Sequence, residues 1–398
     1  MPIELNVGLV AFIAIFVVVV PSCKKASTEP SVDFATAKAA YEKFDYVTAL
    51  RGLRPLADSG NAEAQFMLGK LYERGGVFER GGQLHPSDYG EALAWYRKAG
   101  QKNNGDAEDA LGSLYNEGHG VQQDKAEAMK WYMLGSEHGN ASASFSAGNG
   151  YNQGDGVSKD VFKALKFWLL SEKQGESLAR MNAEILYFKN EGTPKQPTEK
   201  VKWYLFGAQQ GIAAAQLLLG TAYHDGEGVP RDYSTALMWF RQAAENKGFF
   251  AQMAASMADF FIGGMYENAE GVRRDYTEAV KWYRLSADQG FADSQYKLGV
   301  MYVNGRGVPK DYSEAARLYR LAADQGNVNA QIGTGALYVE GIGVPKDYIQ
   351  GYFWFTLAAV SGNPAAAKVR DGIEKSMTPA QVAEAQRLAR EWKPKDAK

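Results

Sequence analysis

Cysteine is almost absent from this chain. The single Cys23 allows no intramolecular disulfide and no Cys-based metal site. Excess charge of either sign is missing as well. The 44 basic and 46 acidic residues leave a formal net charge of −2, with no surplus to neutralise a nucleic-acid backbone, so no nucleic-acid partner is expected. Histidine is scarce: His85, His119, His138 and His224 are the full set, and none has the HExxH spacing of a zinc helix. Neither GxSxG nor GxGxxG occurs, and no nucleophile–base pair suggests itself. The expectation is a protein with no catalytic residues, cofactor or metal. Long apolar runs are lacking too. The longest, 7–20, has 14 residues, short of the roughly 20 that a spanning helix needs. Apolar residues still make up 45% of the 398, ample material for a core.

The run at 7–20 matches the roughly 7–15-residue core of an export signal better than a permanent anchor. Val20-Pro21-Ser22-Cys23 follows it and resembles the lipobox of bacterial lipoproteins, where the chain is cut before the Cys and its thiol carries a diacylglycerol. Val20 and Ser22 fit that pattern, whereas Pro21 is unusual in it. The residues before the run include Glu4 and no Lys or Arg, and Lys24 and Lys25 lie after it. In an uncleaved leader those lysines would hold the following domain in the cytoplasm. The expectation is a signal peptide at 1–22, lipid attachment at Cys23 and a polar tether over 23–31. The chain would then face the periplasm from the bacterial envelope, at the outer membrane. The alternative is an uncleaved N-terminal membrane anchor.

Periodicity is what the chain has in quantity. Tyr72, Tyr115, Tyr151, Tyr187, Tyr223, Tyr266, Tyr302 and Tyr338 follow one another at 36 or 43 residues. Trp95, Trp131, Phe167, Trp203, Trp239, Trp282, Leu318 and Trp354 form a second series in register with the first. Each period reads as two helices. The first carries apolar–Gly–x–x–Tyr, as in Leu298-Gly299…Tyr302, with apolar residues at helical spacing. Glycine inside a helix costs about 1 kcal/mol against alanine. Its recurrence at 69, 112, 148, 220, 263, 299 and 335 therefore predicts close helix approach. A loop such as Gly305-Arg306-Gly307-Val308-Pro309-Lys310 ends the first helix. Asp then opens the second, with Glu or Gln three residues on: Asp88/Glu91, Asp124/Glu127, Asp275/Glu278, Asp311/Glu314 and Asp347/Gln350 have the arrangement of a capping box.

This pattern resembles the Sel1-like repeat, a relative of the tetratricopeptide repeat, over about residues 60–362. The resemblance implies an all-α fold, a right-handed α-solenoid superhelix of about eight helix-turn-helix repeats at 61–362. A degenerate hairpin at 32–60 would lead it. Capping helices at 363–398 would close it, where Thr378 and Pro379 suit a helix start. Stacked hairpins offer a long concave surface, so the expected partner is a protein or peptide held in that groove, on a scaffold tied to the membrane by its N-terminal lipid or leader. Bacterial members of the family serve secretion complexes, polysaccharide export, signalling and host contact. Some such lipoproteins are immunity proteins that neutralise a secreted toxic effector, which is the alternative reading. Cysteine-rich relatives are described as β-lactamase-like hydrolases with Cys pairs in each repeat, and this chain has no Cys after residue 23.

Three periods depart from the pattern. An insertion at 77–86 holds Gly, Pro and Phe78 and reads as a longer loop. A second insertion, around 249–255, has no helix breaker. It adds close to two turns, which predicts a longer first helix there. Phe249, Phe250 and Met253 at its tip, with Phe78, are the candidate partner-binding residues; the other reading of the tip is added core. The fourth period has Glu184 for the glycine, Lys200 for an alanine, and a loop at 190–194 without its first Gly. Resemblance to the tetratricopeptide fold implies that these two small positions face each other. A Glu184–Lys200 ion pair is therefore expected to wedge this hairpin open. His119 and His224 are expected as exposed loop residues.

Overall fold

The computed structural model describes residues 32–75, 87–246, 248 and 251–395. Among the described residues there are 20 α-helices and no strand, an α-solenoid of paired helices. They fall into two compact units that divide between Lys102 and Asn103. The first holds α1 (Phe34–Glu42), α2 (Tyr46–Asp58), α3 (Ala62–Arg74) and α4 (Tyr89–Gly100) around Ala49, Leu53, Leu68, Leu71 and Trp95.

The second unit runs α5 (Gly105–Glu117), α6 (Lys125–Glu137), α7 (Ala141–Gln153), α8 (Val161–Lys173), α9 (Leu178–Phe188) and α10 (Pro197–Gln209). It continues with α11 (Ala213–Asp225), α12 (Tyr233–Ala244), α13 (Ala251–Asn268), α14 (Tyr276–Asp288), α15 (Ala292–Asn304) and α16 (Tyr312–Asp324). It ends with α17 (Val328–Glu340), α18 (Tyr348–Val360), α19 (Pro364–Glu374) and α20 (Pro379–Glu391). Within this unit each hairpin packs on the next, and α20 folds back onto α18 to cover its apolar side with Ala385.

The second helix of most hairpins starts where an Asp accepts hydrogen bonds from backbone N–H groups two or three residues on, as at Asp124, Asp160, Asp232, Asp275, Asp311 and Asp347. The expected capping boxes do not close at these sites. The N–H of each Asp is already taken by the carbonyl of the series tyrosine ahead of it, as from Asp347 to Tyr338 at 2.9 Å. The Glu at the third position turns instead to a cation three residues on, as in Glu127–Lys130 and Glu314–Arg317. Among the described residues a reciprocal box forms only at α20, between Thr378 and Gln381, with Pro379 at the first position.

The recurring glycine makes room for a ring rather than for a backbone. A Cβ at Gly112, Gly148, Gly220 or Gly299 would lie 2.5 to 2.6 Å from the side chain of Tyr132, Trp168, Phe240 or Tyr319, each on the second helix of the same hairpin. Those rings are buried, and burying one stabilises by about 1.5–3 kcal/mol, more than the glycine costs. Between hairpins, the series tyrosine accepts from the helix before it: Arg241 bonds to Tyr266 and Arg284 to Tyr302. The insertion before α13 lengthens that helix as expected, to 18 residues against 13 in α15 and α17.

Candidate functional site

The fourth repeat hairpin, α9 and α10, breaks the register at several positions at once. Its expected ion pair does not form. Lys200 bonds instead to Glu227 at 2.8 Å. Glu184 is buried, and its carboxylate accepts from the backbone N–H groups of Ala213 and Ala214, both at 3.0 Å. The reason lies in α11. That helix begins after Ile212, which cannot cap it, where α7 and α17 begin after Asn140 and Asn327, which can. Glu184 caps it from α9, at the first two amides of the helix rather than at the third, which Asn140 and Asn327 take. One turn earlier, Arg180 donates to the carbonyls of Gln210 and Gly211, pairs with Glu172 at 3.1 Å, and lies 3.6 Å from Glu184. Burial pushes the Glu184 carboxyl up in pKa; the two amides and Arg180 draw it back only in part.

The hairpin is wedged open all the same, by a different residue. α9 and α10 approach each other less closely than the two helices of the other repeat hairpins, α3 with α4 to α17 with α18. Tyr187 fills the space between them: its ring stacks on Trp203 at 5.1 Å and its hydroxyl donates to the Trp203 carbonyl at 3.0 Å. Room for the hydroxyl comes from Gly207, where a Cβ would lie 2.4 Å from it.

Beside this hairpin lies an apolar groove of about 650 Å³, walled by Val161 and Phe162 of α8, Gly192 and Pro194 of the loop, and Trp203 and Phe206 of α10. Phe162 is 41% exposed and stands where most other hairpins have a small residue, as at Ala126, Thr198, Ser234, Thr277 and Ser313, and the eighth has Ile349. It packs against Phe206 at 5.0 Å and Trp203 at 5.8 Å. Phe206 stands where other hairpins present the exposed Leu134, Leu170, Leu285 and Leu321. The loop brings Thr193 where others tuck in Val157, Val229 or Val308, and Gln196 at the N-cap makes no side-chain bond where others use Asp. A second cavity, about 260 Å³, opens between α9 and the start of α13, with Leu178, Met181, Asn246 and Ala251 in its wall.

Of the residues expected to bind a partner, Met253 is 62% exposed on α13 and lines neither space. Cys23, Phe78, Phe249 and Phe250 lie outside the described residues. The added turns of α13 are partly core, since Ala251, Ala254 and Ala255 are buried.

His224 is not an exposed loop residue. It ends α11, packed on Tyr233 and Phe261 and bonded to Asp225 and Glu270. Burial pulls its pKa down, and the two carboxylates more than offset that, so the net shift is upward. No cluster of metal-ligating groups occurs among the described residues. Ser294 and Lys297 have an SxxK spacing on α15, but Ser294 is fully buried and donates to Ser286, and Lys297 pairs with Glu267. That spacing does not set up a nucleophile and its base.

Sequence reasoning misses a buried polar position, although the signal is there: a polar residue stands four before each glycine. Gln216, Gln295 and Gln331 donate there to the carbonyl eight residues back. Glu108 meets Nδ1 of His138 at 2.6 Å. Asp259 accepts from Gln289 at 3.2 Å, and burial lifts its pKa to about 7. Arg180 is the fourth hairpin's version of the same position.

The model of the Sel1 repeat matches residues 62–104, 105–140, 141–176, 213–247, 256–291, 292–327 and 328–363. Within that span it leaves out 177–212, the opened hairpin, and 248–255, the added start of α13. A Sel1 repeat protein from Oxalobacter formigenes is 28% identical over 81% of this chain and 90% of its own, with a TM-score of 0.57. A protective antigen present in uropathogenic Escherichia coli strains, displaying an SLR fold, is 27% identical over 89% of this chain and 90% of its own, with a TM-score of 0.36. The immunity protein Pa5087 from Pseudomonas aeruginosa is 17% identical over 64% of this chain and 81% of its own, with a TM-score of 0.24, too distant a likeness to argue from. No curated protein matches the chain.

Proposed function

This chain belongs to the Sel1 repeat family, and on that premise we propose that it is a non-catalytic scaffold for protein–protein interaction, anchored in the bacterial envelope, whose partner contacts the fourth hairpin. The observation that carries the reading is a coincidence of position. Between 62 and 363, the one hairpin that the family model leaves out borders the 650 Å³ apolar groove, and the groove's other wall, on the third hairpin, presents the exposed Phe162. A repeat released from its consensus while its neighbours keep theirs is where a partner-specific surface belongs.

Anchoring rests on the leader. The 14-residue apolar run, the Val20-Pro21-Ser22-Cys23 sequence and the polar stretch after it fit a lipid on Cys23 that tethers the array to the membrane. No described helix is long and apolar enough to cross a membrane.

Photo-crosslinking from Phe206, with the equivalent Leu321 as control, tests the docking site. A partner captured at 206 and not at 321 supports it; equal capture at both removes it. If that partner is a secreted toxic effector, the protein is an immunity protein; if it is export machinery, an assembly scaffold. Radiolabelled palmitate should enter the wild type and not Cys23→Ala; no label in the wild type would leave an uncleaved anchor as the remaining reading. Hydrolysis of nitrocefin by the purified chain would overturn the non-catalytic assignment.

A further inference from the structure

We infer that the groove beside the fourth hairpin takes an acidic peptide segment, one that presents a phenylalanine, tryptophan or leucine flanked by carboxylates. This rests on the reading of the array as a protein-binding scaffold and names the chemistry of its partner.

The groove itself is apolar. Phe162, Trp203, Phe206 and Pro194 form walls around about 650 Å³, room for a few side chains and not for a folded surface. Trp203 is nearly buried, and its indole N–H has no acceptor among the described residues.

The charged half lies at the rim. Both carboxylates that line the groove are already engaged by their own chain. Asp160 caps α8 through the Lys163 N–H and has the Lys163 ammonium at 3.8 Å; Glu199 pairs with Lys202 at 2.8 Å. Two cations have no carboxylate partner among the described residues. Lys166 has its ammonium 4.4 Å from the centre of the Phe162 ring, and Lys195 follows Pro194 in the loop. Glu191, beside Gly192 in the same loop, is a carboxylate with no cation partner among the described residues and offsets one of these two, so the unpaired charge around the groove is net positive, in a chain whose net charge is −2. A ligand with an apolar tip and flanking Asp or Glu gains from both halves. One with flanking Lys or Arg would meet a rim of net positive charge.

The test is selection from a random dodecapeptide display library on the detergent-solubilised full chain. Binding of the enriched peptides is then compared on Phe162→Asp, Lys166→Glu and Lys195→Glu, all substitutions at exposed positions, with circular dichroism to confirm helix content. The expected result is enrichment of an aromatic residue or leucine flanked by Asp or Glu. Binding should be about tenfold weaker on Phe162→Asp and on the Lys166→Glu/Lys195→Glu double variant. Peptides with basic flanks, or peptides whose binding all three substitutions leave unchanged, would overturn the inference; the second outcome would place protein binding elsewhere on the array and leave the scaffold reading intact. No enrichment at all would remove both. Binding of phosphatidylglycerol vesicles that Phe162→Asp abolishes, with no peptide enriched, would assign the groove to a membrane surface and overturn the peptide assignment.

Discussion

The seventh hairpin, α15 with α16, and the fourth, α9 with α10, share one 36-residue register and pack their helices in opposite ways. In the seventh, Gly299 lets the Tyr319 ring sit against α15, Asp311 caps α16, and Tyr302 reaches back to Arg284 of the hairpin before. In the fourth, the glycine is Glu184, the capping Asp is Gln196, and Tyr187 turns inward to its own partner helix. The first arrangement makes identical units that stack. The second gives up closeness within the hairpin, and the Arg180–Glu184 pair holds the helix ends that follow. One repeat can leave the consensus because stability in such an array is a sum of hairpin and neighbour terms, so its neighbours carry it.

The sharpest way to break this comparison is to exchange the two solutions. Gly299→Glu puts a Cβ 2.6 Å from the Tyr319 ring and a carboxylate into a site where Gln295 stands in place of Arg180 and Asn327 already caps the next helix. The expected loss is about 4 kcal/mol or more, read as a lower urea midpoint by circular dichroism. An unchanged midpoint would mean that the glycine–ring contact does not set the spacing of the consensus hairpin. The reverse change is milder. Glu184→Gln keeps the shape and one acceptor oxygen but gives up the charge, so about 2–3 kcal/mol should be lost. The loss should be local: amide exchange at Ala213 and Ala214 should speed up while α15 keeps its protection. If those amides stay protected, Glu184 is not the cap of α11.

The position four before the glycine sharpens the comparison by pH. Most consensus hairpins place glutamine there, while α13 places Asp259 with a pKa near 7. The folded chain holds that proton to about pH 7, whereas the unfolded chain releases it near pH 4. Between those values the folded state binds more protons, so stability falls as pH rises and levels off above about 7. Asp259→Asn should match the wild type near pH 4 and exceed it by about 2 kcal/mol at pH 8, after allowance for solvent screening. A constant difference across that range would show that Asp259 does not titrate in the folded state.

The consensus hairpins were almost fully legible in the sequence, since residues that repeat every 36 positions repeat for a packing reason that each copy shares. The fourth hairpin was legible only as a departure. Its opening was foreseen from Glu184 and Lys200, but the cause was misassigned, because the partners of Glu184 are backbone amides, and amides carry no sequence signal. Phe162 was overlooked for a related reason: it belongs to the third hairpin, and only packing brings it to Phe206.

The two series tyrosines give the finest contrast. Tyr187→Phe removes a hydroxyl that donates to the Trp203 carbonyl inside the wedge, where water does not replace it, so a loss of about 1 kcal/mol is expected. Tyr302→Phe removes a hydroxyl that accepts from Arg284 in an exposed setting, where water takes over as donor, and the loss should stay near 0.3 kcal/mol. The difference follows from the direction of the two bonds: Tyr187 ties a hairpin to itself, and Tyr302 ties one hairpin to the previous one. Paired urea titrations of the two variants measure it. Equal losses would mean that Tyr187 is no more committed to the interior than the tyrosines of the consensus repeats, and that something else holds α9 and α10 apart.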